Sequence, residues 1–315
     1  MPVWMAAILL PVVAVLLLMA ACGGGQQGST DAAAGLVKSQ TSSSCEAPPL
    51  PPGTPTPLLV DPLANYVPTP EPPIANAVGA PSKQVAGEIT AAIRNFVNCW
   101  NQRKFESVGT LATPRFLKSI FEQLRAQDTA IIMNGLPDIQ YDLRSLGDIQ
   151  KLSDGRVSVA FDYVFVHQER KGHWYFLKQN GWWLMDREIR VKPDVPKDSG
   201  VIDVEGKEYS YVITPTTPSN KPVTVFHAHN SGGLDHDFLV VKIIAQIDPR
   251  QLLQPNLAHP QGIEFIAQTS LGPGEEEDMV TFNMTPGTYL FICQFRHPDG
   301  TPHAQKGMVA QFTIQ

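Results

Sequence analysis

The spacing of apolar residues changes repeatedly along this chain, and each change marks a different kind of structure. Residues 3–21 form an apolar run, V-W-M-A-A-I-L-L-P-V-V-A-V-L-L-L-M-A-A, that ends in small residues before Cys22-Gly-Gly-Gly. Such a run reads as an export signal, and Pro11 within it argues against a robust spanning helix. From Val85 the spacing is helical. Val85, Ile89, Ala92, Ile93, Phe96 and Trp100 share one face, with Ser82 as the expected N-cap. Thr113-Pro114 reads as the cap and first-turn proline of a second helix, with an apolar stripe of Leu117, Ile120, Phe121 and Leu124. After Gly135 the period falls to two: Val157, Val159, Phe161, Tyr163 and Phe165 alternate with Ser158, Ala160 and Asp162. Asn180-Gly181, between W-Y-F-L and W-W-L-M, is a hairpin signal.

Beyond residue 200 short strands follow one another. They read V-I-D-V-E-G-K-E-Y-S-Y-V-I, P-V-T-V-F-H-A-H-N, H-D-F-L-V-V-K-I, G-I-E-F-I-A, E-D-M-V-T-F-N-M, G-T-Y-L-F-I-C and G-M-V-A-Q-F-T-I, with turns such as Gly272-Pro273-Gly274 and Pro286-Gly287 between them. Helices followed by a meander of strands predict an α+β unit, and many short strands predict a β-sandwich. The expected organisation is therefore a signal over 1–22, a linker over 23–82, an α+β domain over 83–195 and an all-β sandwich over 200–315.

Composition sharpens this picture at a few points. The linker is first Gly/Gln/Ser/Thr-rich, then carries frequent prolines from Pro48 to Pro81, which favours a semi-rigid polyproline spacer. The 315 residues, 43% of them apolar, leave room for two cores. A net charge of -6 without a basic cluster argues against a nucleic-acid partner. The four cysteines, Cys22, Cys45, Cys99 and Cys293, are too few for a disulfide scaffold.

Chemistry concentrates at Cys293 to Met308, C-Q-F-R-H-P-D-G-T-P-H-A-Q-K-G-M. A thiol, the imidazoles of His297 and His303, and a thioether fall within this stretch, with His236 upstream. Thiolate, imidazole and thioether together suit copper.

Three stretches resemble known families. Leu18-Met19-Ala20-Ala21-Cys22 resembles a bacterial lipobox, although no Lys or Arg precedes the run and Met19 stands where Leu is usual. The resemblance implies that Cys22 is lipidated and that the chain is tethered to a membrane on its extracytoplasmic face, periplasmic or cell-surface. The helix-then-meander order, closing on G-W-W-L-M-D-R-E-I, resembles the nuclear transport factor 2-like superfamily, which implies helices over a curved sheet forming a cone with an apolar pocket. Asp162, His167, His173, Asp186 and Glu188 are its candidate polar residues, but they form no tight constellation. His167 and His173 read as exposed residues flanking a charged turn, Gln168-Glu169-Arg170-Lys171, and Trp174, Trp182 and Trp183 as core. A docking or scaffolding role is expected of this domain rather than catalysis.

V-T-V-F-H-A-H-N-S-G-G-L-D-H-D-F and P-G-T-Y-L-F-I-C…H-A-Q-K-G-M resemble the two halves of a cupredoxin, the Greek-key sandwich of blue copper proteins. That implies one type 1 copper ion held by His236, Cys293, His303 and an axial Met308, with His303 as the electron port by family analogy. His297 competes for the second imidazole position, but His303 stands at the family's spacing from Met308. With Cys22 lipidated and Cys293 given to metal, Cys45 and Cys99 remain as a possible disulfide pair; the alternative is two free thiols. Ile292 and Gln294 flank Cys293 where multicopper oxidases and copper nitrite reductases place histidine, so a wired second copper is not expected. His227 and His229 face one side of a strand and hint only weakly at a second metal, while Glu275-Glu276-Glu277-Asp278 reads as a solvated run that would steer a basic partner. The expectation is a non-enzymatic, membrane-tethered electron carrier between redox-partner proteins. Alternatives are non-redox copper binding, for storage, delivery or sensing, and small-ligand binding by the middle domain.

Overall fold

A computed structural model describes residues 44–50, 73–121, 129–130, 139–215, 220–247, 262–295, 297 and 299–315. The apolar run, Cys22, most of the linker and Leu124 lie outside the described residues. The chain is mostly β with few helices. In order it forms β1 (Ala77–Gly79), α1 (Lys83–Asn101), α2 (Phe105–Thr110), α3 (Pro114–Phe121), β2 (Tyr141–Leu152), β3 (Val157–Phe165), β4 (Gln168–Gln179) and β5 (Trp182–Val191). It continues with β6 (Gly200–Lys207), β7 (Ser210–Thr214), β8 (Val223–Asn230), β9 (His236–Ile243), β10 (Ile263–Leu271), β11 (Glu276–Phe282), β12 (Gly287–Ile292) and β13 (Val309–Ile314). Among the described residues no helix is long and apolar enough to cross a membrane.

Local signals place the first lobe. The Ser82 hydroxyl accepts from the Val85 N–H and starts α1, satisfying one of the orphan amides of a helix N-terminus. Ile89, Ile93, Phe96 and Trp100 then bury one face of α1 against the antiparallel β2–β3–β4–β5 meander. Rings pack against one another in the interior: Phe96 meets Phe116 at 5.9 Å and Trp100 meets Tyr141 at 5.0 Å, while Trp174 stacks on Phe161 at 4.6 Å. β1 lies within the stretch read as linker, yet pairs with β2.

Some local expectations are corrected. The stretch read as one strand after residue 200 breaks into β6 and β7 at Glu208-Tyr209, where Tyr209 takes a left-handed φ of 61°. The supposed charged turn is the start of β4, with Gln168 and Glu169 both buried. His167 is tied down, its ring nitrogens meeting Phe282 O at 2.9 Å and Glu264 Oε1 at 3.0 Å, and His173 sits within β4. Asp186 and Glu188 do not face solvent either. Asp186 takes the Thr113 hydroxyl (2.9 Å) and the Arg115 and Arg156 guanidiniums. Glu188 accepts from Tyr163 Oη (3.1 Å) and Trp174 Nε1 (2.9 Å). The strand period could not reveal these bonds because the donors come from neighbouring strands and from the start of α3.

The last eight strands form a sandwich. One sheet runs β11-β8-β6-β7, with β6 and β8 parallel; the other runs β10-β9-β12-β13. Side chains alternate across a strand. Phe238, Val240, Tyr289 and Phe291 therefore point into the sandwich core, while Leu239, Val241, Leu290 and Ile292 join the cluster of the first lobe. The first sheet also continues into that lobe: β11 pairs with β4 at Thr281 and Gln168, beyond the end of β5. Ion pairs Arg190–Glu277 (3.6 Å) and Lys192–Asp278 (3.0 Å) line the same seam. Partly exposed pairs contribute at most about 1 kcal/mol each, whereas burying one Leu, Ile or Phe contributes about 1.5–3 kcal/mol. The apolar seam, including Phe265 edge-on to Phe165 at 6.3 Å, is thus the stronger bond between the lobes. The Glu275–Asp278 run is correspondingly only partly solvated: Asp278 also meets His227 Nδ1 at 2.6 Å, and Glu277 accepts from Thr269.

Cys45 and Cys99 form a disulfide, with Cα atoms 5.0 Å apart. Asn95 exchanges two hydrogen bonds with the Glu46 backbone, and Asn98 Nδ2 donates to Ser44 O at 2.9 Å. The Ser44–Leu50 segment is thereby stapled to α1. Opening the bridge frees the unfolded chain, so a Cys45→Ser/Cys99→Ala double variant is expected to lose about 2–4 kcal/mol in metal-free denaturant unfolding. Reductant should lower the parent to the variant's level and leave the variant unchanged.

Candidate metal centre

His236 opens β9, Cys293 directly follows β12, and these strands are hydrogen-bonded neighbours with Ile292 opposite Leu239. The ladder alone thus brings an imidazole and a thiol to one end of the sandwich. The loop after Cys293 returns through a short 3-10 turn, His303–Lys306, to Gly307, whose φ of 111° is left-handed and favours glycine. That reversal delivers Met308 beside Cys293. Backbone bonds fix the return: His303 N to Phe295 O (2.7 Å), Ala304 N to Cys293 O (3.0 Å), Met308 N to His303 O (3.0 Å) and Cys293 N to Met308 O (3.2 Å).

The donor atoms of His236, Cys293 and His303 all lie within 4.8 Å of one another. Cys293 Sγ is 3.4 Å from His303 Nδ1, and the two imidazoles are 5.3 Å apart between centroids. All three residues are buried, and so is Met308, which packs in the same cluster as Cys293. His297 stands apart from this group, partly exposed and paired with Asp299 at 3.0 Å. His303 does not reach solvent as an electron port would: it is 3% exposed, with the Tyr209 ring edge-on to it at 5.1 Å.

The electrostatics fit a soft cation. Burial lowers the His303 pKa to about 4, helped by the neighbouring His236, His297 and Lys306, and burial also lowers that of His236. Both imidazoles are neutral near pH 7 and able to donate a lone pair. Neither ring nitrogen of His236 has a hydrogen-bond partner, although both are buried. An orphaned pair of this kind is costly unless something else binds there. Burial pushes the Cys293 thiol up to about 12, with the Asp237 carboxylate adding to the effect, against backbone bonds from Asp237 and Phe295 and the Tyr211 hydroxyl. A bound cation would offset that cost and leave a thiolate ligand. Two neutral imidazoles, a thiol and a thioether thus match the donor set of a type 1 copper ion.

No protein-family model matches the chain, and no curated protein does. Solved structures resemble parts of it. Dithionite-reduced auracyanin from the photosynthetic bacterium Roseiflexus castenholzii is 20% identical, over 36% of this chain and 96% of that one, with a TM-score of 0.28. A putative ketosteroid isomerase from Kribbella flavida is 15% identical, over 35% of this chain and 82% of that one, with a TM-score of 0.25. A multicopper oxidase from Campylobacter jejuni, described as a metallo-oxidase, is 13% identical with a TM-score of 0.23; the match covers 56% of this chain and about half, 49%, of that one. Each of these likenesses covers only part of this chain, at low identity.

Sequence reading did not single out Asp237, Gln268, Tyr209 or Glu208. Asp237 N–H donates to Cys293 Sγ at 3.3 Å, and the Asp237 carboxylate accepts from Gln268 Nε2 at 3.0 Å. The Tyr211 hydroxyl donates to the Asp237 carbonyl, and Glu208 accepts from the Gly233 N–H near His236. Only adjacency to His236 could have flagged Asp237.

Gly206 fixes how closely β6 approaches the site. A Cβ there would stand 2.7 Å from the Phe238 ring and 3.4 Å from Met308 Cε. Gly206→Ala is expected to cost about 1–3 kcal/mol in metal-free unfolding, as overpacking does. Gly87→Ala serves as a control, since a Cβ there meets nothing within 4 Å and the backbone is not left-handed.

Proposed function

We propose that the chain is an extracytoplasmic electron carrier that holds one type 1 copper ion between His236, Cys293 and His303, with Met308 as a weak axial donor. The observation that carries this reading is the convergence of one thiol and two neutral imidazoles in a buried site where both ring nitrogens of His236 lack a protein partner. Copper in such a site supplies one-electron chemistry between its cuprous and cupric states. The protein's part is to hold the donors still: β9 and β12 fix His236 and Cys293, and the His303–Gly307 turn fixes His303 and Met308. A ligand set that does not rearrange keeps reorganisation small. The buried position excludes water and competing ligands from the metal.

Catalysis at this copper is not part of the proposal. Ile292 and Gln294 flank Cys293, so the chain lacks a histidine beside the thiol to conduct to a second copper. The Arg190–Glu277 and Lys192–Asp278 pairs and the apolar seam between the lobes support a scaffolding role for the first lobe. Tethering through a lipidated Cys22 completes the proposal, placing the carrier on the outer face of a membrane among redox-partner proteins. Its test is fractionation: Cys22→Ser should move the protein from membrane to soluble fraction.

Copper loading tests the carrier itself. The loaded protein should show intense sulfur-to-Cu(II) absorption in the visible and a reversible one-electron reduction. Cys293→Ser and His303→Ala should abolish that band, and His297→Ala should retain it. A colourless loaded protein that binds copper tightly would favour storage or delivery instead. A band that survives in His303→Ala and vanishes in His297→Ala would reverse the ligand assignment.

A further inference from the structure

Among the described residues the α+β lobe brings no donor to the candidate centre, yet a line of hydrogen bonds, joined through Gln268 and Asp237 themselves, leads from it to the Cys293 sulfur. Strand alternation sends His236 toward the candidate centre and Asp237 to the opposite face of β9. Asp237 is 1% exposed there. Gln268 Nε2, on the neighbouring strand β10, donates to both of its oxygens at 3.0 Å, and Ser270 Oγ lies 3.5 Å from Oδ1. β10 is the edge of its sheet and carries a register shift between Phe265 and Ala267. An edge strand needs partners for its outward amides. The N–H of Gln268 finds one across the lobe boundary, donating to Gln168 Oε1 at 3.1 Å.

Gln168 is the first residue of β4 and is 1% exposed. Its oxygen is held from the other side by Arg170 Nη2 at 3.3 Å, and the Arg170 guanidinium rests over the Phe165 ring at 4.8 Å. The line therefore runs Arg170, Gln168, Gln268, Asp237, Cys293. Every link has an observed geometry, and both Gln168 and Asp237 are shielded from water.

We infer that Gln168 is a positioning residue for the Cys293 sulfur: through Gln268 and Asp237, strand β4 of the α+β lobe sets where the Asp237 N–H meets Sγ. In metal-free protein the inference rests on this geometry alone. Its extension to the loaded protein rests on the copper reading. A backbone N–H aimed at a metal-bound sulfur draws charge from it, and hydrogen bonding around that sulfur is one of the features that tune a type 1 potential. The two lobes would then act as one electronic unit, the first lobe adjusting a centre it does not touch.

The test uses the full chain with Gln168→Leu, which removes the acceptor, Gln168→Glu, which keeps an acceptor oxygen beside Arg170, and Gln268→Leu, which cuts the next link. The first readout is the rate at which an aromatic disulfide reagent modifies Cys293 in metal-free protein, with Cys293→Ser variants as the blank. Gln168→Leu and Gln268→Leu should each react about two- to tenfold faster, the range that the loss of one hydrogen bond corresponds to, and Gln168→Glu should stay near the parent. The second readout is the energy of the sulfur-to-metal band and the midpoint potential after copper loading. Both should move in the Leu variants and be restored in Gln168→Glu. Should Gln168→Leu fail to fold, Gln268→Leu carries the same comparison. Parent-like reactivity in both Leu variants would overturn the inference. So would equal acceleration in Gln168→Glu, which would mark general loosening rather than positioning. If the loaded parent shows no sulfur band, the copper reading fails while the reactivity arm still decides the positioning claim.

Discussion

The structure depends on the middle of one sheet, its central strands β9 and β12, being buried on both faces. Its inner side chains, Phe238, Val240, Tyr289 and Phe291, build the sandwich core, and its outer ones, Leu239, Val241, Leu290 and Ile292, seal against the first lobe. His236 and Cys293 sit at the ends of the two central strands of that sheet. A strand held on both sides has no soft direction in which to move, so donor atoms at its end inherit its rigidity. For a centre whose usefulness lies in not rearranging when its charge changes, that constraint matters more than any single bond around the donors.

The same burial creates the chemical tension of the site. It keeps both imidazoles neutral, holds the thiol protonated in the absence of a cation, and strands both ring nitrogens of His236 without partners. Each of these is unfavourable in an empty pocket, and each is relieved by a soft cation. The α+β lobe adds to the arrangement from outside. It covers the sheet with apolar side chains, extends the other sheet through β4, and caps the exposed edge of β10 with Gln168. The disulfide and the asparagines of α1 hold the Ser44–Leu50 segment to that lobe, so any tether entering there meets a fixed point on the fold.

Much of this was legible in the chain itself. The Ser82 cap, the stripe of α1 and the alternation of β3 follow from local physics, and so do a strand that begins at His236 and another that runs up to Cys293. The spacing of His303 from Met308 also singled out the imidazole that the fold brings to Cys293. What escaped was what depends on separate elements meeting. The run Gln168–Lys171 looked like a solvated turn because its charges say so, yet β11 and β10 cover it. Asp186 and Glu188 showed no tight constellation in the sequence, but Arg156, Thr113, Tyr163 and Trp174 come to them from other elements. A left-handed turn at Tyr209 divided what read as one strand and set an aromatic ring over His303. Period and propensity report one element at a time, and contacts between elements lie beyond them.

The central claim is that His236, Cys293 and His303 are ligands of a single copper ion. X-ray absorption at the copper edge of the loaded, full-length protein tests it most directly. The account predicts one short copper–sulfur shell and two imidazole nitrogens, with the sulfur shell lost in Cys293→Ser and one imidazole lost in His303→Ala. A first shell of nitrogen and oxygen alone, or one that Cys293→Ser leaves unchanged, would contradict it.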